Sequence, residues 1–365
     1  MGPLDAFESV GVACFIKMTT APRDLFLFCV LAAFGSGCTT GTASTVPVSQ
    51  SSTGVPALTD TVFLSSDVWQ TTPIGLFELY GVGGSSTPTR LTFCTNCQAL
   101  SATPSLDRNR VALRRVVADT NRDGKLDEFD TTSLILVDLA RKIEGPFLPD
   151  GWTTSSADWS SDGTFLIHTS SPNGGAEDLY QIDANAQNNS ALIATPTVRE
   201  RNGRVDTAIS RIVYERIDGT GVGKAEIWIW LSSTNQVKIT DGGTVGAALA
   251  NSYYLVGSDA NPDYSPDGTN IVFRRLTSNA VNRGAWDIMT VPGVGGAAKV
   301  LVSGSQYRSA PDWSKDGIVF AEGNLTTGGI DVVVVDPTTG GRRVIQSLGR
   351  GYSAISPRWI NGISK

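Results

Sequence analysis

Short stretches in which apolar and polar residues alternate recur along the chain from about residue 60 onwards. Residues 286–291 and 330–335 are clear cases, and short β-branched runs such as 299–302 follow them. Alternation with a period of two predicts β-strands that are buried on one face. No helical periodicity occurs beyond the N-terminal region, so the pattern predicts an all-β domain.

One phrase punctuates these strands. Pro-Asp-Tyr-Ser-Pro-Asp-Gly at 262–268 returns as Pro-Asp-Trp-Ser-Lys-Asp-Gly at 311–317, with fainter copies at 157–163 and 357–362. Leu106 keeps the frame one unit before Trp159. A period of about 45–50 residues with four strands per unit is typical of propeller blades. Asp-Gly predicts a hairpin turn, and the aromatic residue before it is predicted to be a core side chain wedged between neighbouring blades.

The two ends of the domain predict ring closure. The last phrase, at Trp359, has no strands behind it, whereas the strands within 60–94 have no phrase before them. Because an unpaired edge strand is a liability, we predict that the two halves join into one blade. With units at 99–149, 152–197, 198–243, 258–304 and 308–348, this gives a six-bladed β-propeller. The unit at 198–243 has a degenerate phrase and one clear early strand, at 209–214, so seven blades are the alternative.

The phrase at 262–268 resembles the repeat of the TolB-type propellers, and the resemblance covers about 60–365. It implies the propeller fold. TolB itself carries an α/β domain before its propeller and binds partner proteins in the periplasm, but too few residues precede Asp60 for such a domain. The resemblance is therefore specific for the fold and not for the function.

The N-terminal region has the pattern of an export signal. An apolar run at 25–34 follows Arg23 and is too short to span a bilayer. Gly35-Ser36-Gly37-Cys38 resembles a bacterial lipobox, which implies lipidation of Cys38 and a membrane anchor. We expect a signal and lipobox region at 1–38, of which 1–17 precedes an alternative start at Met18, and a flexible Ser/Thr-rich tether at 39–59. A cell-envelope lipoprotein is expected, with a periplasmic or secreted protein as the alternative.

Two cysteines remain in the mature domain. Cys94 and Cys97 follow a strand, and in an oxidising compartment we expect them to form a disulfide with each other. A redox pair and half of a zinc site are the alternatives. A redox pair would be expected in a βαβ unit, and these cysteines do not lie in one. A zinc site needs a second pair of ligands, and the sequence offers none.

The segment 119–130 follows the calcium-loop pattern. Oxygen ligands fall at alternate positions around Gly124, which permits the sharp bend, and Lys125 would contribute its backbone carbonyl. The loop resembles those of dockerin and EF-hand proteins without their flanking helices. We predict a structural calcium site, and an acidic loop without metal is the alternative. The predicted ligands are Asp119, Asn121, Asp123, Lys125, Asp127 and Asp130.

Catalytic signals are sparse, and no catalytic residue is predicted. The single histidine, His168, lies in a blade strand, where packing or hydrogen bonding is the expected role. No Gly-x-Ser-x-Gly elbow is present. The net charge of −6 argues against nucleic acid. We therefore predict a monomeric, non-catalytic binding or scaffold module for a protein or glycan. The alternative is a hydrolase acting on polysaccharide or peptide through two carboxylates at the propeller mouth.

Overall fold

The computed structural model describes the chain from Thr61 to Ile360. Its gaps are 67–77, 84–88, 93–96, 106–108, 117, 121, 123, 125, 127–129, 140, 142, 150–151, 173–174, 207–209, 220, 282, 327 and 349–353. The predicted export signal, Cys38 and the tether lie outside the described residues. Across the described ranges, no helix has the length and apolarity needed to cross a bilayer.

The described residues form 24 strands in four-stranded antiparallel sheets, which confirms the all-β propeller. The closing sheet contains β24 (Ala354–Ile360), β1 (Thr61–Ser66), β2 (Glu78–Gly83) and β3 (Thr89–Arg90). Blade I contains β4 (Gln98–Pro104), β5 (Arg110–Val116), β6 (Thr132–Asp138) and β7 (Ile143–Pro146). Blade II contains β8 (Trp152–Trp159), β9 (Phe165–Pro172), β10 (Asp178–Asp183) and β11 (Asn189–Ile193).

The remaining sheets repeat this order. Blade III contains β12 (Val198–Val205), β13 (Ile212–Asp218), β14 (Ala225–Ser232) and β15 (Asn235–Lys238). Blade IV contains β16 (Asp259–Tyr264), β17 (Asn270–Ser278), β18 (Ala285–Pro292) and β19 (Lys299–Val302). Blade V contains β20 (Asp312–Ser314), β21 (Gly317–Gly323), β22 (Ile330–Val335) and β23 (Arg342–Leu348).

The predicted count of six or seven blades needs correction. Among the described residues, five blades are built from four strands that follow one another along the chain. The ring is completed by the closing sheet, in which β24 pairs antiparallel with β1 and Thr61 lies opposite Ile360. This sheet takes its strands from both ends of the domain, so it is not a further continuous blade. The pairing predicted between the last strand and the strand after Asp60 is present.

The first strand of each sheet forms its inner edge. These inner strands contact one another in ring order, which is β24, β4, β8, β12, β16 and β20. Because the strands alternate in direction, the connections fall at two ends of the ring. The turn end carries the hairpins after the inner strands, and its longest connections are 206–211, 293–298 and 336–341. The loop end carries the connections between blades and the long segments 117–131 and 239–258. β1 begins at the turn end.

The phrase aromatics fill the space between sheets, as predicted. Trp159 packs against Ala112 and Leu134 of blade I, and its indole Nε1 donates to the carbonyl of Thr103 at 3.0 Å. Tyr264 packs in the same way against blade III, and Trp313 packs against blade IV. Each blade therefore shares an apolar core with its predecessor, which gives the ring its cohesion.

The Asp-Gly hairpin turns are also present. At the end of β8, Gly163 has a φ of +69°, and the carboxylate of Asp162 accepts the backbone N–H of Thr164 at 3.0 Å. That bond and those from the side chains of Ser160 and Thr164 lower the pKa of Asp162 below its usual value. The turn is thus set by local hydrogen bonds that the sequence encodes.

Two details of the predicted frame are wrong. Pro104, rather than Leu106, is equivalent to Trp159, because Pro104 pairs with Val111 as Trp159 pairs with Leu166, just before the hairpin turn. The unit at 198–243 has its inner strand at β12, and the strand predicted at 209–214 begins only at Ile212. In both units the phrase lacks its aromatic residue, so the sequence pattern does not mark the inner strand at its actual position.

Candidate functional site

The longest connection between blades, 239–258, lies at the loop end between blades III and IV. It folds back on itself through backbone hydrogen bonds from Gly243 to Gly257, from Gly246 to Val256 and from Leu249 to Tyr254. Gly257 has a φ of +95°, and a Cβ at this position would lie 2.4 Å from the carbonyl oxygen of Thr244. Only glycine fits such a position without strain, so the close return of the chain at this point requires Gly257.

The insertion is tied to its neighbours on both sides. The N–H of Gly223, in the β13–β14 connection, donates to the carbonyl of Tyr253, and Leu255 donates to the carbonyl of Gly223. On the other side, the side chain of Asn279 donates to the carbonyl of Ala248 at 3.0 Å. Three loop-end segments are therefore held together as one surface.

A buried carboxylate fixes the insertion to the blades beneath it. Glu215 on β13 is fully buried and accepts the hydroxyl of Tyr254 at 2.7 Å. It also accepts the side-chain amide of Asn202 at 2.8 Å and the backbone N–H of Asn261 at 3.0 Å. Burial, followed by the negative charge of Glu215, raises the pKa of Tyr254 above its usual value, so the hydroxyl stays protonated as the donor. One side chain thus joins β12, β13, β16 and the insertion.

The adjacent tyrosine is exposed instead. Tyr253 is 39% exposed, and its ring lies under the guanidinium of Arg199, with 4.1 Å between the ring centroid and Cζ. Arg201 lies 5.0 Å from the same centroid and forms a 2.8 Å ion pair with Glu177. The cation–π contacts hold the ring in place without covering it, and an ordered exposed aromatic is a frequent anchor of binding energy.

Exposed apolar side chains accompany Tyr253 on the three joined segments. We call them, together with Tyr253, the loop-end patch, which comprises Val222, Val245, Tyr253 and Val281. Within two of the segments, 219–223 and 242–258 contain no charged residue, whereas the third segment contains Arg283. Exposed apolar surface on an ordered frame is suited to contact with a macromolecule.

The centre of the ring carries a second cluster, which is buried. One position of the phrase, the residue before the aromatic, projects from all six inner strands and is occupied by Thr103, Asp158, Arg204, Asp263, Asp312 and Arg358. Arg358 donates to Asp312 at 2.6 Å, and to Asp158 and Thr103 at 3.3 Å each. These contacts run from the closing sheet to blades I, II and V, so the cluster bridges the middle of the ring.

The same aspartates link neighbouring blades. Asp158 accepts the N–H of Val205 at 3.0 Å, and Asp263 accepts the N–H of Trp313 at 2.7 Å. Burial, followed by the nearby charge of Arg358, lowers the pKa of Arg204. These polar groups are bonded to other parts of the protein, which assigns the phrase aspartate a structural role.

The structure covers only part of the predicted calcium site. Of its six ligand positions, Asp119 and Asp130 are described, whereas Asn121, Asp123, Lys125 and Asp127 lie outside the described residues. Asp119 accepts the N–H of Gly124 at 2.8 Å, so the backbone folds back onto the first ligand position. Asp130 accepts the N–H of Thr120 at 2.7 Å. No cluster of three metal-binding side chains occurs in the part of the chain that the structure describes.

Two other predicted positions have clear surroundings. Cys97 is disulfide-bonded, and every other cysteine lies outside the described residues, so the pairing with Cys94 stays a prediction. His168 is fully buried, and its ring nitrogens contact Ser170 at 2.7 Å and Asn189 at 3.0 Å. Burial lowers the pKa of His168 to about 4, which keeps the ring neutral at pH 7.

Sequence reasoning missed Glu215, Tyr253 and Tyr254. The two adjacent tyrosines lie in the long segment between β15 and β16, which has no strand pattern. The length of that segment was the sequence signal that could have marked it as a functional loop. Loops held on a rigid scaffold commonly carry function.

Comparisons with known proteins agree with the fold. No protein-family model matches the chain, and no curated protein matches it. TolB from Acinetobacter baumannii superposes with a TM-score of 0.61 at 15% identity, over 83% of this chain and 67% of that one. A protein assigned as TolB from Agrobacterium tumefaciens gives 0.56 at 14% identity, over 82% and 99%. A chain of a nidogen/laminin complex gives 0.57 at 10% identity, over 83% and 99%. At such identities the similarity shows the fold, which is a β-propeller of the kind found in TolB.

Proposed function

We propose that this protein is a non-catalytic binding module that holds a partner protein against the loop-end patch. The observation that carries the proposal is the set of exposed apolar side chains on three loop segments that hydrogen-bond to one another. Such a surface is ordered before the partner arrives, so binding would cost little conformational entropy. Its exposed valines and tyrosine favour a protein partner.

The similarity to TolB structures supports the proposal at the level of the scaffold only. Propellers present loops at one end of a rigid ring, and this ring has its long loops together at one end. We also propose that Cys38 anchors the protein to the membrane of the cell envelope. Metabolic labelling with a fatty acid should mark the wild type and Cys29→Ala, and should not mark Cys38→Ala.

A photo-crosslinking residue at position 245 tests the proposed surface in cells that produce the protein. Val245 is 56% exposed and belongs to the patch, whereas Val294 is 89% exposed and lies at the turn end, which makes it a matched control. We expect a discrete protein adduct from position 245 and none from position 294. An aspartate at Val222 should abolish the adduct, because it places a charge in the apolar surface.

Equal adducts from positions 245 and 294 would reject the loop end as the binding surface. An adduct that persists unchanged in Val222→Asp would do the same, provided that this variant keeps the denaturation midpoint of the wild type. Because Val222 is 51% exposed, we expect that midpoint to be preserved.

A further inference from the structure

Two carboxyl groups meet at the junction between blades II and III. Asp178 is the first residue of β10, and Glu200 lies on β12, in the next blade. Burial, followed by the interaction with Glu200, raises the pKa of Asp178, so the two side chains lie close to one another. Asp178 Oδ1 and Glu200 Oε1 are both buried, and among the described residues no N–H or O–H group donates to either oxygen. Two carboxyl groups buried near one another without such donors are accommodated best when one of them carries a proton that it can donate to the other.

The surroundings of the pair offer limited compensation for a second negative charge. Tyr180 on β10 opposes the rise in the pKa of Asp178 that burial causes, whereas the negative charge of Glu177 adds to that rise. On β13, Arg216 lies opposite Glu200 in the register and Tyr214 is close to it, while His168 on β9 stacks on Tyr180 and is neutral. Among the described residues, Arg216 is the cation opposite the pair, because Arg199 and Arg201 pair with Glu177 instead, and this suits a single shared negative charge.

The backbone connects this pair to the blade junction. The N–H of Glu200 donates to the carbonyl of Glu177 at 2.9 Å, so β10 and β12 are joined by a main-chain bond beside the carboxyl groups. Glu177 also pairs with Arg199 and Arg201, which hold Tyr253. Repulsion between two ionised carboxylates would act directly on this contact.

We propose that Asp178 and Glu200 share one proton and form a pH-sensitive latch between blades II and III, which loosens when that proton is lost. Burial, followed by the hydrogen bond to Glu200 and its negative charge, raises the pKa of Asp178 to about 7. The folded protein thus holds the proton more tightly than the unfolded chain. The stabilisation is complete below the ordinary pKa of aspartate, about 4, and is lost as the pH rises through about 7.

Denaturant unfolding of the full-length protein between pH 5 and pH 8 tests the latch. Relative to Asp178→Asn, the unfolding equilibrium constant of the wild type should rise by up to tenfold per pH unit, or up to about 100-fold from pH 5 to pH 7. The asparagine can still donate to Glu200 but cannot ionise. Asp183→Asn is the control on the same strand. Backbone N–H groups, that of Gln187 first, lower the pKa of Asp183, so its own effect falls below about pH 4 and the slope should remain.

A measurement on the unmodified protein covers the case in which Asp178→Asn fails to fold. An infrared titration should show a protonated carboxyl band that disappears between pH 6 and pH 8, and hydrogen exchange at the Glu200 amide should accelerate over the same range beyond its intrinsic pH dependence. Parallel unfolding slopes in wild type and Asp178→Asn would overturn the proposal. So would the absence of the infrared band at pH 5.

Discussion

Single buried polar side chains carry more of this architecture than their number suggests. Glu215 receives three hydrogen bonds from three different segments, and Arg358 bonds to residues of three blades. Buried groups of this kind contribute modestly when fully bonded, but they are costly when a partner is lost. The residues whose loss does most harm should therefore be the buried acceptors rather than surface ion pairs.

Glu215→Ala tests this expectation at the loop end. The change leaves the hydroxyl of Tyr254 and the amide of Asn202 buried without their acceptor, so we expect the free energy of unfolding to fall by about 3 kcal/mol. The measurement is chemical denaturation at pH 7. Glu226→Ala is the control, because its contacts with Lys224 and Lys238 are surface pairs worth about 0–1 kcal/mol. Equal losses in the two variants would show that the Glu215 network is not a stabilising element.

Elements of this protein differ in how far the sequence specifies them. The Asp-Gly hairpins and the aromatic wedges follow from residues adjacent in sequence, and both were predictable. The inner strand β12 was not, because its phrase lacks the aromatic and carries Arg204 where blades II, IV and V have aspartate. The fold of 239–258 depends on Glu215 and Asn279, which are distant in sequence. Local patterns therefore located the frame, while the loop-end patch depends on contacts that no local pattern encodes.

Gly257→Ala tests whether the insertion is held by its own backbone. A Cβ at this position would meet the carbonyl oxygens of Thr244 and Gly243 at 2.4 and 2.9 Å, in a left-handed conformation. We expect a loss of about 1–3 kcal/mol and faster hydrogen exchange across 239–258. Gly221→Ala is the matched control, since a Cβ there meets nothing within 4 Å. Unchanged exchange in Gly257→Ala would contradict the prediction.

Calcium binding by the loop at 119–130 can be tested by thermal unfolding. We expect calcium to raise the melting temperature of the full-length protein and a chelator to reverse the rise, because binding to the folded state alone stabilises it. Asp119→Ala should abolish the response, and Asp316→Ala, at an exposed hairpin turn, should preserve it. An identical melting curve with and without calcium would reject the site.

The inner strands form a closed ring that holds the propeller together. The central cluster connects the closing sheet to blades I, II and V, while Asp158 and Asp263 join successive blades through the backbone. Because β24 and β1 come from opposite ends of the domain, closure makes the ring cooperative instead of an open row of units.

Arg358→Ala should lower the stability of this ring of inner strands. The variant removes the guanidinium that bonds directly to Asp158 and Asp312, and breaking a buried pair in this way costs about 3–5 kcal/mol. Denaturation followed by tryptophan fluorescence should show a lower midpoint in a single transition. Arg141→Ala, which removes a side chain that is 77% exposed, should stay within about 0.5 kcal/mol of wild type. A second transition in Arg358→Ala would mean that the blades unfold independently.

The position of the first strand has a consequence for how the propeller is displayed. β1 enters the ring at the end that carries only short hairpins, opposite the end with the insertion. If the segment before Thr61 leads to a lipidated cysteine, the chain attaches to the bilayer from the hairpin side. Tyr253 and its apolar neighbours, at the opposite end of the ring from this attachment, would then stay clear of the linking segment and within reach of molecules in the aqueous phase.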